Sequence, residues 1–291
     1  MKKASYIFIL LAGILWGTMG FWVRKLNGHG LVSMDIVFLR SAVTACIMLV
    51  VLIVRGKSLL KIKLRDLWCF AGTGLCSIVF FNFCYFTAIM LTTLSVAAIL
   101  LYTAPAFVIV LSFILFHERI TLVRFAALVL MFSGCCFVTG IASADNRISF
   151  AGLLYGLGAG LGYALYSIFG RFAIKRGYDS MTITFYTFLA AAAGSFALSN
   201  HTTVVKYIFA APADTAFSFC FAAVCTVVPY LLYTWGLKSV ENGKAAIIAS
   251  IEPVTAALLG ILFYHESVTA VSVIGFVMVL AALLLCSYVK H

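Results

Sequence analysis

In a chain of 291 residues, of which 64% are hydrophobic and 10% charged, with a mean hydropathy of +1.15, there is too little polar surface to wrap a water-soluble core. The solvent for most of the chain is lipid. A net charge of +11 would suit nucleic acid, but the basic residues sit in short hydrophilic breaks between apolar runs, as membrane topology demands, so no nucleic-acid partner is expected.

Apolar runs able to cross about 30 Å of hydrocarbon fall at 5–23, 35–54, 67–89, 95–116, 123–141, 150–173, 181–199, 215–237, 243–263 and 269–289. The first follows Met1-Lys2-Lys3, lacks a small-residue cleavage site and runs into Arg24-Lys25, so it is expected to be a retained helix and not a removed signal. The fold class is therefore all-α: a polytopic membrane protein of about ten transmembrane helices with short connections, the longest at 55–66 and 201–214. With the N-terminus in the cytoplasm, Lys2, Lys3, Arg55, Lys57, Lys61, Lys63, Arg65, Arg119, Arg124, Arg171, Lys175, Arg176, Lys238, Lys244 and Lys290 lie inside. Only Arg24, Lys25, Arg147 and Lys206 lie outside, so both termini are predicted to be cytoplasmic. The nine cysteines all fall within apolar runs, without disulfide or zinc spacing, and read as small buried thiols. No metal and no cofactor is expected.

The chain repeats itself. Ala97-Ala98-Ile99-Leu100-Leu101-Tyr102-Thr103-Ala104-Pro105 returns as Ala245-Ala246-Ile247-Ile248-Ala249-Ser250-Ile251-Glu252-Pro253, a shift of 148 positions (253 − 105), and both copies run on to His-Glu and then Thr. Tyr85 matches Tyr233 at the same shift, while Trp16 matches Tyr163, Gly13 matches Gly160 and Arg24 matches Arg171 one position closer. Two repeats of about five helices follow, 1–145 and 146–291. Five is odd, so the second must lie upside down in the bilayer, an inverted pair of the kind secondary transporters use. The corners agree: His117-Glu118 is followed by Arg119 and Arg124 on the predicted inside, whereas His265-Glu266 is followed by Ser267 and no base. Thr121 and Thr269 read as N-caps of the fifth and tenth helices.

These residues resemble the drug/metabolite transporter superfamily, in its ten-helix EamA-type branch, over nearly the whole chain. The resemblance rests on the two repeats, on Pro105-Ala106-Phe107 and Glu252-Pro253-Val254, on Glu118 and Glu266, and on Phe38-Leu39-Arg40-Ser41-Ala42. It implies a monomeric carrier of the cell membrane, the bacterial cytoplasmic membrane in particular, that often exports amino acids or other small metabolites through a central cavity between its halves. This chain departs from symmetry at Ala104, which has no carboxylate to match Glu252.

An ionisable group inside a span is costly and marks a pathway or a site. Glu252 can bind a cationic group or exchange a proton, making protons the expected coupling ion; the plainer alternative is a hydrogen bond that holds two helices together. Pro105, Pro229 and Pro253 lie within spans and each deletes a backbone donor, so they are candidate helix breaks or gates, or else static kinks. Arg40 lies about five residues from the outer end of its run and is expected to extend to the surface or pair with Asp35; a gate or a carboxylate clamp is the alternative. Trp16, Tyr85, Tyr102, Tyr163, Tyr166 and Tyr230 offer an apolar face with a polar tip to a substrate, and Asn82 shares a face with Tyr85. Trp235 reads as an interfacial residue. The glycines at 156, 158, 160 and 162 lack a nucleotide fingerprint and read as a face for close helix approach.

The function expected is secondary transport of small metabolites by alternating access, amino-acid export first and import of a quaternary amine as the alternative. An enzyme would need clustered His, Asp or Cys within the spans, and the spans offer one Glu, one Arg and scattered thiols. The orientation is open to direct test. An alkaline phosphatase reporter, active only outside the cytoplasm, should score when joined after Asn27 or Lys206 and stay silent after Lys61, Arg119 or Lys175.

Overall fold

The computed structural model describes residues 2–92, 94–138, 149–264 and 269–288; the expected corner at His265-Glu266-Ser267, the charges at Arg147 and Lys290 and the expected end of the fifth helix, 139–141, lie outside the described residues. Within them the chain is helical, and ten apolar helices follow one another: α1 Ala4–Gly28, α2 Ser33–Arg55, α3 Leu64–Leu91, α4 Val96–Phe116, α5 Leu122–Val138, α6 Phe150–Lys175, α7 Ser180–Phe196, α8 Pro212–Leu237, α9 Asn242–Phe263 and α10 Ala270–Tyr288. Seven of them are long and apolar enough to cross a membrane; α5 and α10 are shorter, and α7 turns by 119° into a short helix, His201–Ile208, where a loop was expected. Large apolar side chains such as Val54, Phe113, Leu262 and Val277 point outward, the inverse of a water-soluble surface.

Their ends follow local rules. Ser149 accepts from the N–H of Gly152 at 3.0 Å and starts α6, and Asp179 accepts from Met181 at 2.9 Å and starts α7. The two expected threonine caps are in place: Thr121 accepts from the N–H of Arg124 at 3.3 Å, and Thr269 from that of Ser272 at 3.1 Å. Gly30, at φ +83°, turns the chain between α1 and α2.

Among the described residues, five helices are interrupted near their middles. α1 breaks at Thr18, whose hydroxyl donates to the carbonyl of Leu15 at 2.7 Å and so competes with the helical ladder. α4 breaks at Tyr102-Thr103 and α9 at Ser250-Ile251, each just ahead of a proline without an N–H to offer. In α4 the Thr103 hydroxyl satisfies Leu100 O at 2.6 Å, and in α9 the Ser250 hydroxyl satisfies Ala246 O at 3.0 Å. α8 instead carries a wider π turn, Ala223–Val227, immediately before Pro229, which absorbs the missing donor without a sharp kink. A π turn also occupies Gly72–Val79 in α3, where there is no proline.

Packing brings the breaks together. α1 lies on α8 and α9, α6 lies on α3 and α4, α2 lies on α7 and α8, and α5 pairs with α10. Lipid offers no hydrophobic gain for helix association, so close approach through small residues carries the contact. A Cβ on Gly13 would come within 2.6 Å of the Ala249 carbonyl, at the α9 break, and one on Gly160 within 2.5 Å of the Thr103 hydroxyl, at the α4 break. Gly134 and Gly275 make the equivalent crossing between α5 and α10. The glycines of α6 thus serve the packing role expected of them.

Gly13→Ala should therefore lower the detergent-solubilised melting temperature by the equivalent of about 1–3 kcal/mol of overpacking. Gly20→Ala, on the same helix with open space around it, should leave the melting temperature unchanged or raise it.

Candidate functional site

Because Pro253 cannot donate to Ala249, the second segment of α9 begins at Glu252, and the break turns this carboxylate toward α6. The Tyr163 hydroxyl donates to Glu252 Oε2 at 3.3 Å. Tyr85 of α3, Tyr102 of α4 and Tyr230 of α8 also lie within electrostatic reach of that carboxylate. Gly17 of α1 closes over Thr255 and the backbone carbonyl of Glu252.

Beside this acid, an aromatic cluster fills the middle of the bundle. The Trp16 ring lies 5.1 Å from Tyr230, 5.3 Å from Tyr233 and 6.3 Å from Tyr163, mostly edge to face, and Tyr166 stands 4.8 Å from Tyr230. Two of the phenols are satisfied internally. Tyr166 shares a hydrogen bond with Thr234 at 3.0 Å, and Tyr233 with Ser167 at 2.8 Å. The indole N–H of Trp16 is buried without an acceptor among the described residues. Trp16, Phe81, Tyr163 and Tyr230 border a cavity of about 20 Å³, room for a water or two and too small for a metabolite. The substrate-sized cavity expected from the sequence is thus closed up here by aromatic rings.

The structure gathers Glu252, Tyr163, Tyr102, Tyr85, Tyr230 and Trp16 in one place; Tyr166 stands one layer back, on Thr234. Asn82 is buried, but its amide donates to Ile78 O at 2.7 Å within its own helix, and it borders a second cavity beside Met19 and Phe86. Arg40 departs from the reading preferred for it. α2 begins at Ser33, two residues earlier than the apolar run, so Arg40 sits about 10 Å along the helix. It is 3% exposed and does not reach the surface. Nor does it pair with Asp35, whose carboxylate accepts instead from the backbone N–H of Asn200 at 2.7 Å and of Val32 at 3.2 Å. Trp235 is half-buried against Phe8.

One polar assembly was not foreseen. At the end of the bundle where α4, α6 and α8 finish and α9 begins, Glu118 accepts from the N–H groups of Asn242 at 2.9 Å and Gly243 at 3.3 Å, capping α9 from another helix pair. Arg171 donates to Asn242 Oδ1 at 2.8 Å, to Leu237 O at 2.5 Å and to Val240 O, and lies 4.0 Å from Glu118. Arg124 pairs with Glu241 and donates to Arg119 O at 2.7 Å. His117, in the left-handed region at φ 56°, makes the corner that aims Glu118. The sequence held the parts, since Glu118 and Arg171 both stand out in the repeat, but nothing local brings residues so far apart in the chain to one clasp. Thr18 was missed as well; its signal is the run Gly17-Thr18-Met19-Gly20.

A bundle of apolar helices broken around a carboxylate and an aromatic cluster is the architecture of a membrane transporter. The model of the EamA-like transporter family matches the chain twice, over residues 3–140 and 150–288, and the chain belongs to that family, within the drug/metabolite transporter superfamily. It resembles an uncharacterized transporter of Archaeoglobus fulgidus, 31% identical over 95% of this chain and 94% of the relative, and the uncharacterized transporter YwfM of Bacillus subtilis, 25% identical over 99% and 95%. A protein of known crystal structure superposes with a TM-score of 0.81 over 99% of this chain and 98% of its own, at 16% identity, and so shares the fold. The protein is a multi-pass transporter of the cytoplasmic membrane.

Removing the cap that Glu118 provides to α9 tests the clasp. Glu118→Ala should cost about 1–2 kcal/mol, seen as a lower melting temperature, whereas Glu118→Gln, which keeps one acceptor oxygen, should lose less.

Proposed function

We propose that this transporter is a secondary carrier exporting amino acids or related small metabolites, and that it works by alternating access. In this reading the ten helices all cross the membrane, with both termini cytoplasmic, and residues 1–145 and 146–291 form two inverted repeats that rock about the broken segments of α4 and α9. The protein acts as a monomer. Glu252 carries the proposal: it is an acid at a helix break, hydrogen-bonded to a tyrosine of another helix and within electrostatic reach of three more. Such a group can take a proton or the cationic end of a solute, but not both at once, and this exclusion couples proton movement to transport. Trp16, Tyr163 and Tyr230 supply the faces against which the solute packs, and the Trp16 N–H supplies a free donor. Pro105, Pro229 and Pro253 mark where the helices yield. The clasp around Glu118 and Arg171 then closes the cytoplasmic side.

The same aromatic group beside an acid also favours a second reading, import of a quaternary amine held by cation–π contacts with Glu252 as counter-ion. Competition by choline separates the two, because an amino-acid exporter should be indifferent to it.

In proteoliposomes bearing a pH gradient, Glu252→Gln should sharply lower amino-acid transport, as removal of a functional intramembrane acid demands, and should abolish its dependence on the gradient. Tyr163→Phe should retain gradient dependence at a reduced rate. Undiminished, gradient-driven transport by Glu252→Gln would overturn the assignment.

A further inference from the structure

We propose that Arg40, with Asn82 on the facing wall, forms a second half-site that binds a single carboxylate group. If the carrier reading above holds, that group belongs to the transported solute, and the inference rests on that reading only for the identity of the solute.

A buried guanidinium carries a large desolvation cost unless its charge and its donors are met. Elsewhere this chain meets them. Arg171 has three acceptors and the nearby Glu118, and Arg124 has Glu241 and a carbonyl. Arg40 is the exception among them: at 3% exposure it makes one weak contact, from Nη1 to Met19 Sδ at 3.5 Å, and its Nε has no partner among the described residues. The acid one turn before it, Asp35, is engaged by backbone N–H groups. Glu252 is near enough to interact with Arg40 through space, yet no ion pair joins them, and Glu252 is instead held by Tyr163. Thr44, one turn further along the same face of α2, has a buried hydroxyl that is also without a partner among the described residues.

Space accompanies the unmet charge. Arg40, Asn82 and Ser33 border a cavity of about 30 Å³ whose other walls are apolar, among them Val37, Phe86 and Phe221. That is room for about two waters or for a group the size of a carboxylate, not for a whole solute. The cavity is bordered by one cation only, so it neutralises one negative charge, which selects a carboxylate over a phosphate dianion. The planar fork of the guanidinium matches two coplanar oxygens. Thr18, where α1 breaks, lies between Trp16 of the aromatic cavity and Met19 of this one, so a solute spanning the break would touch both half-sites.

The test uses purified, detergent-solubilised protein, with propionate and benzoate as probes against propionamide and benzamide. Binding is read by tryptophan fluorescence and by the shift in melting temperature. The wild type should prefer each acid over its amide by at least about tenfold, the factor expected of a charge-assisted bidentate contact. Arg40→Met should abolish that preference while binding the amides within about twofold of the wild type. Its melting temperature without ligand should equal or exceed that of the wild type, because an uncompensated buried charge has been removed. Arg40→Lys should keep only part of the preference. No preference in the wild type, a preference that survives in Arg40→Met, or an Arg40→Met protein that melts lower or fails to fold would each overturn the proposal. A carboxylate preference that depends on Arg40, in a protein that moves no amino acid in proteoliposomes, would instead leave the half-site standing and remove the carrier reading above.

Discussion

In hydrocarbon a backbone carbonyl has no water to turn to, so every break in a spanning helix must be covered by protein. α4 and α9 each lose a backbone bond at a proline, and what makes those losses tolerable is the pair of glycines at 13 and 160. With no side chain, each lets a neighbouring helix close directly over the exposed turn, while a threonine or serine hydroxyl takes up a nearby carbonyl. The rest of the middle of the bundle depends on this arrangement. Glu252 faces α6 because the second segment of α9 restarts there, and Trp16 is carried into the aromatic cluster because α1 is drawn against that same restart.

Charge is distributed with the same economy. At the α9 N-terminus the ionic groups are gathered into a clasp in which arginine donors find carbonyls, an amide oxygen and acids. Within the helices lie two groups of opposite sign, Glu252 and Arg40, that no ion pair joins. Joining them would satisfy both and would produce a stable, inert core. Their separation across the α1 break leaves a carboxylate with a phenol for company and a guanidinium with a thioether, the kind of incompletely met polarity that membrane proteins retain where solutes pass.

The helices and the positions of the main breaks were legible in the sequence because both depend on local covalent facts: a run of apolar side chains, a proline, a hydroxyl three residues ahead of a helix. The apolar run at 243–263 and the helix Asn242–Phe263 differ by one residue. Glu252 could be picked out for a similar reason, since a repeat exposes whichever member departs from it. The π turn in α3 could not, because no proline announces it, and the break in α1 rests on one hydroxyl competing with the ladder. Arg40 was misread because its burial comes from other helices, with Met19 of α1 and Phe221 of α8 beside it, and no local pattern in α2 announces them. The clasp needed knowledge of which helix ends meet, and that is a property of packing and not of any segment.

The small size of both cavities says how a solute would have to be admitted. The Trp16 ring is in contact with those of Tyr163 and Tyr230, at 6.3 and 5.1 Å between centroids, so room cannot come from flipping one side chain; it has to come from moving the segments that carry them. In the proposed cycle the interruptions at Thr18, Tyr102-Thr103 and Ser250-Ile251 allow that, since a helix already broken can swing one half without severing further backbone bonds, and the π turns of α3 and α8 can lose or regain a residue of register at similar depth. Such motion would separate Tyr163 from Glu252 and bring the solute's own groups to the acid and to Arg40. The glycine contacts of α1 and α6 would act as the pivots, because they join the backbone of one helix to the joint of another with no side chain between to compress.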